Sequence, residues 1–230
     1  MLKKLKQHVC EANLKLVEEG LVIQTWGNVS GVDRESNRVV IKPSGVPYDE
    51  MKPDQMVVLD LESGEVVDGD LRPSSDTPTH LILYRAFPQI GGVVHTHSLY
   101  ATAWAQAKLD IPALGTTHAD YFHGAVPCTR LMKDEEIASE YEANTGHVIV
   151  ERFAGLNPLH FPGVLVASHA PFVWGETPDK AVENALVLEN MARLASETLR
   201  IRADVESMQQ VLLDKHFLRK HGPGAYYGQK

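Results

Sequence analysis

Two histidines in Gly91-Gly92-Val93-Val94-His95-Thr96-His97-Ser98 are spaced i, i+2 at the end of a run of small and β-branched residues. In a strand, successive side chains alternate, so both imidazoles leave the same face with Cα atoms roughly 6.5 Å apart. That separation lets both rings reach one cation at metal–nitrogen distances of about 2.0–2.1 Å. It also fits two polar side chains satisfied by backbone and water, so the pair alone does not decide. A second apolar run, Gly163-Val164-Leu165-Val166-Ala167-Ser168, ends in His169 and has the same form, a strand delivering an imidazole at its polar end. Asp76 adds a carboxylate, either as a fourth ligand or as a helix-dipole partner. Three imidazoles with an optional carboxylate and no thiolate describe a catalytic zinc, or other divalent-metal, site rather than a structural one.

Three short Gly/Ser stretches could take an anion: Gly27-Asn28, Ser44-Gly45 and Ser74-Ser75. Each is also readable as a plain turn or cap. Their small residues permit backbone N–H groups to converge, and Ser74-Ser75 stands just before a helix start, where free N–H groups and the dipole favour negative charge. Lys42 either adds a cation to this set or is an exposed strand lysine. A metal that polarises a carbonyl, beside a phosphate seat, points to a phosphorylated sugar as substrate.

The elements that must hold these residues follow from periodicity. Residues 3–19 read as an amphipathic helix through Leu5, Val9, Ala12 and Leu16, stopped by Gly20. Residues 27–31 and 43–45 read as loops, 38–42 as a strand, and 56–61 with 65–67 as a hairpin. Thr77 suits an N-cap, with Pro78 as the first residue of a helix. Ser98 caps a short helix reaching Trp104, residues 115–122 read as a polar loop, and 133–151 as a helix with an acidic start. A strand at 172–175 precedes a long helix from Pro178 to Arg200, capped by Thr177, and a last helix covers Val205–His221.

Composition bounds the function. A chain of 230 residues, 43% hydrophobic and 23% charged, suffices for one domain, 1–230, with a full core. The net charge of −8 excludes a general nucleic-acid binder. Cys10 and Cys128 cannot form a disulfide framework and suit a reducing compartment. No apolar run reaches the length of a membrane span or a signal h-region, so the expectation is a cytoplasmic protein with no membrane partner.

In chain order, Gly27-Asn28-Val29-Ser30, Pro43-Ser44-Gly45, Ser74-Ser75-Asp76, His95-Thr96-His97, Thr117-His118-Ala119-Asp120, Ser168-His169 and Tyr226-Tyr227-Gly228-Gln229 resemble the family of class II sugar-phosphate aldolases and L-ribulose-5-phosphate 4-epimerases. The resemblance spans essentially the whole chain. It implies an α/β, three-layer αβα fold with a central, mainly antiparallel sheet between helix layers. It also implies a homotetramer with the active site at a subunit interface. Aldolases of the family typically carry Glu after the Ser-Ser pair, whereas the epimerase branch carries Asp, as Asp76 does here.

The implied reaction is epimerisation of a phosphorylated ketopentose, L-ribulose 5-phosphate, to D-xylulose 5-phosphate by retro-aldol cleavage of C3–C4. Zn²⁺ would be held by Asp76, His95, His97 and His169, and the phosphate by Gly27, Asn28, Lys42, Ser44, Gly45, Ser74 and Ser75. Asp120 and Tyr227 would move protons on the two faces, with His216 and Arg219 nearby. An aldolase releasing its aldehyde product, and a non-catalytic adducin-like module, are the alternatives. The metal, the pathway served, arabinose or ascorbate use among them, and the regulation are not written in these residues.

Overall fold

The computed structural model describes residues 2–221 and 224–226. Seven antiparallel strands form one sheet: β1 Asn28–Asp33, β2 Arg38–Ile41, β3 Val57–Asp60, β4 Val66–Asp68, β5 Gly92–His95, β6 Gly163–Leu165 and β7 Pro171–Gly175. Their order is β4-β3-β2-β1-β5-β7-β6, so β5, which ends in His95, lies inside the sheet between β1 and β7. The helices are α1 Lys3–Glu18, α2 Thr77–Ala86, α3 Leu99–Ala107, α4 Thr116–Ala119, α5 Asp134–Ala138, α6 Tyr141–Arg152, α7 Pro178–Ile201 and α8 Gln210–His221.

Alternation along the inner strands builds two cores, one on each face of the sheet. Val94 and Val173 pack with Ala12 and Leu16 of α1, Trp104 of α3 and Ala181, Ala185 and Leu188 of α7. Val93, Phe172 and Trp174 face the other way, onto Leu83 and Tyr84 of α2 and Ile149 of α6. Helices therefore cover both faces, and the expected three-layer αβα arrangement with a mainly antiparallel sheet is the one observed. Gly92 makes the layers meet closely: a Cβ there would stand 2.5 Å from the backbone nitrogen of Pro178, so the start of α7 rests directly on β5. Thr177 caps that helix as its sequence predicts, its Oγ1 accepting from Lys180 N at 3.1 Å.

Several local expectations are corrected. Residues 28–31 are strand, not loop, because Asn28–Gly31 pair with β5 and Ser30 and Gly31 pair with β2 as well. The segment 115–122 contains the short helix α4, and 133–151 is two helices broken at Ser139-Glu140. Asp76, not Thr77, occupies the N-cap position of α2; the Thr77 hydroxyl instead donates to Ser74 O at 2.6 Å. Ser98 stands at the N-cap of α3 without a side-chain cap, and the Glu189 carboxylate accepts from Tyr100 N and Ala101 N in its place. The last helix begins at Gln210 rather than Val205. Both cysteines are free and buried. Among the described residues no helix is long and apolar enough to cross a membrane.

Candidate metal and anion site

A cleft of about 550 Å³ opens where β1 begins and β5 ends, and it gathers most of the sequence candidates. His95, His97 and His169 line it together with Gly27, Asn28, Lys42, Ser44, Gly45, Ser74, Ser75 and Asp76. Residues up to 144 positions apart in the chain, Thr25 and His169, thus line one cleft.

The three imidazoles converge. One nitrogen from each lies within 4.8 Å of the others, and His95 Nε2 stands 3.2 Å from His97 Nε2. Only His95 belongs to a strand; β5 stops there, and His97 sits just beyond it. His169 is likewise not at a strand end but in the turn joining β6 to β7, after Ser168, whose φ of 62° makes that turn tight. Burying imidazoles near one another disfavours charge. Burial first, then the neighbouring histidines, pushes His169 down to about 4 and lowers His97 as well, so both are neutral at neutral pH, the form that can donate to a metal. The His95 ring is oriented by Nδ1 against Pro171 O at 2.9 Å, with Phe172 stacked on it at 4.2 Å. Two lone-pair nitrogens held 3.2 Å apart are unfavourable unless they share a proton or a cation, so this donor set fits a divalent metal.

Asp76 lines the same cleft but stands apart from the three-histidine group among the described residues. Its Oδ2 accepts from Asn28 Nδ2 at 2.6 Å. Burial raises its pKa, but the fields of His95 and His80 and the bond from Asn28 outweigh that and leave it below the usual carboxylate range. Asn28 Nδ2 also donates to Ser74 Oγ at 3.0 Å, tying two of the three Gly/Ser stretches together.

Lys42 lines the cleft beside Ser44 and Gly45. It is 2% exposed, which excludes the solvent-facing lysine reading. Its ammonium donates to Thr25 O at 3.3 Å and lies 4.8 Å from the centre of the Tyr48 ring. Burial lowers its pKa, and the charge of Asp76 partly restores it. Ser44-Gly45 and Ser74-Ser75 are brought alongside one another: Ser44 N donates to Arg72 O and Ser74 N to Lys42 O.

Asp120 is not part of this cleft in the single chain. It follows α4 and is clamped to α8, accepting from His216 Nδ1 and Arg219 Nη2 at 3.0 Å each, with Lys220 Nζ at 3.3 Å. Burial pushes its pKa up, but His216, Arg219 and Lys220 together hold it below the usual value, so it is a carboxylate. His216 and Arg219 are therefore partners of Asp120 rather than of the cleft. Tyr227 lies outside the described residues.

Three residues of the site carry no role in the sequence reading. Tyr141 OH stands 3.4 Å from His169 Nδ1, orienting that ring, and nothing in the local sequence links the two. His80 lies fully buried one turn after Asp76 on α2; its Nδ1 meets Ser30 Oγ at 2.7 Å and its Nε2 has no partner among the described residues. The i, i+4 spacing of Asp76 and His80 was a usable signal. Trp26, half exposed, completes the mouth of the cleft.

Comparison with known proteins agrees with this fold. The family model for the class II aldolase and adducin N-terminal domain matches residues 7–196. L-fuculose 1-phosphate aldolase superposes with a TM-score of 0.78 at 26% identity, over 93% of this chain and 94% of that one. YgbL of Klebsiella pneumoniae, provisionally an aldolase/epimerase/decarboxylase, gives 0.74 at 25% identity, over 94% and 99%. A sugar-phosphate aldolase from Thermotoga maritima gives 0.68 at 18% identity, over 87% and 97%, a likeness of fold alone.

Proposed function

The chain belongs to the class II aldolase and adducin N-terminal domain family, and from that premise we propose that it is a metal-dependent sugar-phosphate epimerase interconverting L-ribulose 5-phosphate and D-xylulose 5-phosphate. The observation that carries this reading is Asp76. Its carboxylate is short, ionised and bonded to Asn28 beside the histidines, where the aldolases carry the longer Glu that serves as acid and base. Proton transfer must then come from elsewhere, and Asp120 and Tyr227 are the groups for it.

The three histidines, with Asp76 beside them, would hold zinc or another divalent ion, which when bound supplies Lewis-acid polarisation of the substrate carbonyl and hydroxyl oxygens. Lys42, Ser44, Gly45, Ser74, Ser75, Gly27 and Asn28 bind the phosphate end and fix the position of C3–C4. A base takes the proton from the C4 hydroxyl; the C3–C4 electron pair moves into an enediolate, and glycolaldehyde phosphate is left. The aldehyde turns over, the bond re-forms on its other face, and an acid returns the proton to the new C4 oxygen. Asp120, kept ionised by its clamp, suits the base, and Tyr227, with an ordinary pKa near 10, suits the acid. Because Asp120 stands outside the cleft of its own chain, this assignment requires a second copy to bring Asp120 to the histidines, as a homotetramer with interfacial sites would.

The second reading is a class II aldolase that releases its aldehyde, and the likeness to L-fuculose 1-phosphate aldolase favours it. One experiment separates them. Metal-loaded enzyme is incubated with L-ribulose 5-phosphate in D₂O and followed by NMR beside a chelated control. Metal-dependent D-xylulose 5-phosphate without deuterium at C4 is the expected result. No epimerisation there, with cleavage of a deoxyketose 1-phosphate supplied in a parallel reaction, would move the chain to the aldolase reading.

A further inference from the structure

Trp26 is the one side chain of the cleft whose position neither the fold nor the phosphate seat explains. Its indole is 49% exposed and joins none of the hydrophobic cores, yet the backbone that carries it is firmly held. Trp26 N donates to Ile23 O at 3.2 Å, and Trp26 O accepts from Tyr48 OH at 2.9 Å. Lys42 Nζ ties down the carbonyl of Thr25. On either side, Gln24 and Gly27 take positive φ values of 53° and 80°, the two bends that swing residue 26 out over the opening. The ring ends 6.2 Å from that of His97, tilted by 53°, on the wall that also carries Ser44, Gly45 and Lys42. A large, half-exposed apolar ring on a fixed turn therefore lines the cleft close to its histidine end.

That placement answers a demand peculiar to epimerisation. After C3–C4 cleavage the two-carbon aldehyde phosphate is held only at its phosphate end, and its carbonyl end must rotate without leaving and without being hydrated by solvent. An aldolase has the opposite need. We propose that Trp26 is the retaining wall of the site: its indole covers the aldehyde fragment while the bond is broken, so that the fragment turns over in place. The inference rests on the epimerase reading and names the residue that makes cleavage non-productive of free aldehyde.

The test measures leakage. Wild-type enzyme, Trp26→Phe and Trp26→Ala, each loaded with metal, convert L-ribulose 5-phosphate in the presence of a hydrazine that traps free glycolaldehyde phosphate. With the wall removed, trapped aldehyde per epimerisation should rise about tenfold or more in Trp26→Ala, with Trp26→Phe between, while metal content and melting temperature stay unchanged. An unchanged ratio in an active Trp26→Ala overturns the proposal. If the wild type does not epimerise at all, the epimerase reading fails instead, and a titration with glycolaldehyde phosphate alone decides the wall. Trp104 and Trp174 are buried, so a fluorescence change present in wild type and lost in Trp26→Phe places the fragment against Trp26. No fluorescence change on saturation overturns the wall independently of the reaction.

Discussion

Asn28 and His95 are register partners across β1 and β5. Through that single pair the anion seat and the metal group become two ends of one rigid ladder. Asn28 holds Asp76 and Ser74, while His95 is oriented by Pro171 from β7 on its other side. The central strands, buried on both faces, are the part of a sheet least able to move, which is the requirement for a site whose ligands must be fixed before metal arrives.

Tyr141→Phe removes the hydroxyl beside His169 Nδ1 without opening the core. Divalent-metal affinity should fall about tenfold, as is usual when a partner that orients a metal-binding histidine is lost. Competition with a chromophoric chelator measures it, and unchanged affinity would mean that His169 is oriented by the turn alone.

Lys42→Met keeps the buried aliphatic stem and deletes the charge. KM for the phosphorylated substrate should rise roughly tenfold or more with a smaller change in kcat, the scale of one hydrogen bond to a charged group. Steady-state kinetics across the pair reads this out directly.

Asp120→Asn weakens the clamp between α4 and α8 and takes away the proposed base. Epimerisation should be almost lost with metal content retained, and stability should drop by about 1–3 kcal/mol in urea titrations. Full turnover in this variant would remove Asp120 from the chemistry.

Gly27→Ala places a methyl group 2.9 Å from His95 O and 2.7 Å from Val22 Cγ1, at a backbone with φ of 80°. The strain should cost about 1–3 kcal/mol and disturb the histidine at the same time. Thermal melts with and without metal will show both losses together.

Acid should destabilise the metal-free protein through its buried neutral histidines. Burial holds His80 near 3 and lowers His118, although Asp76 pulls His80 up and Gly124 O pulls His118 up. In the unfolded chain both titrate near 6.5, so below that pH the unfolded state binds more protons and stability falls. For His80 the loss should approach about 1.4 kcal/mol per pH unit as pH drops from 6.5 toward 4, and His118 adds to it in the same direction. It should be absent between pH 7 and 8. Urea midpoints of the chelated protein at pH 7.5, 6 and 5 provide the check, and a flat profile would show that these imidazoles are solvated.

The composition of the site was legible in the chain because its residues sit in short local patterns. A strand that ends in histidine, a Ser-Ser pair before a helix, and a Gly-Asn step are each written in adjacent positions. Their grouping needed only that strand ends and helix starts converge. Apolar periodicity likewise marked α1, α7 and the strands at 38–42 and 56–61, and Thr177, next to Pro178, marked the start of α7 correctly.

The tertiary structure decided what adjacency cannot carry. Asn28–Gly31 look like a turn because Gly, Asn and Ser favour turns locally, yet all four pair with β5, and Ser30 and Gly31 with β2 too, which makes them part of a central strand. Lys42 has an ordinary strand-lysine context, and only the Tyr48 ring and the cleft wall bury it. Tyr141 reaches His169 across 28 positions, and Asp120 meets His216 across 96. Those contacts are set by how α6 and α8 pack against the rest of the fold, a long-range outcome of burial that no local spacing encodes.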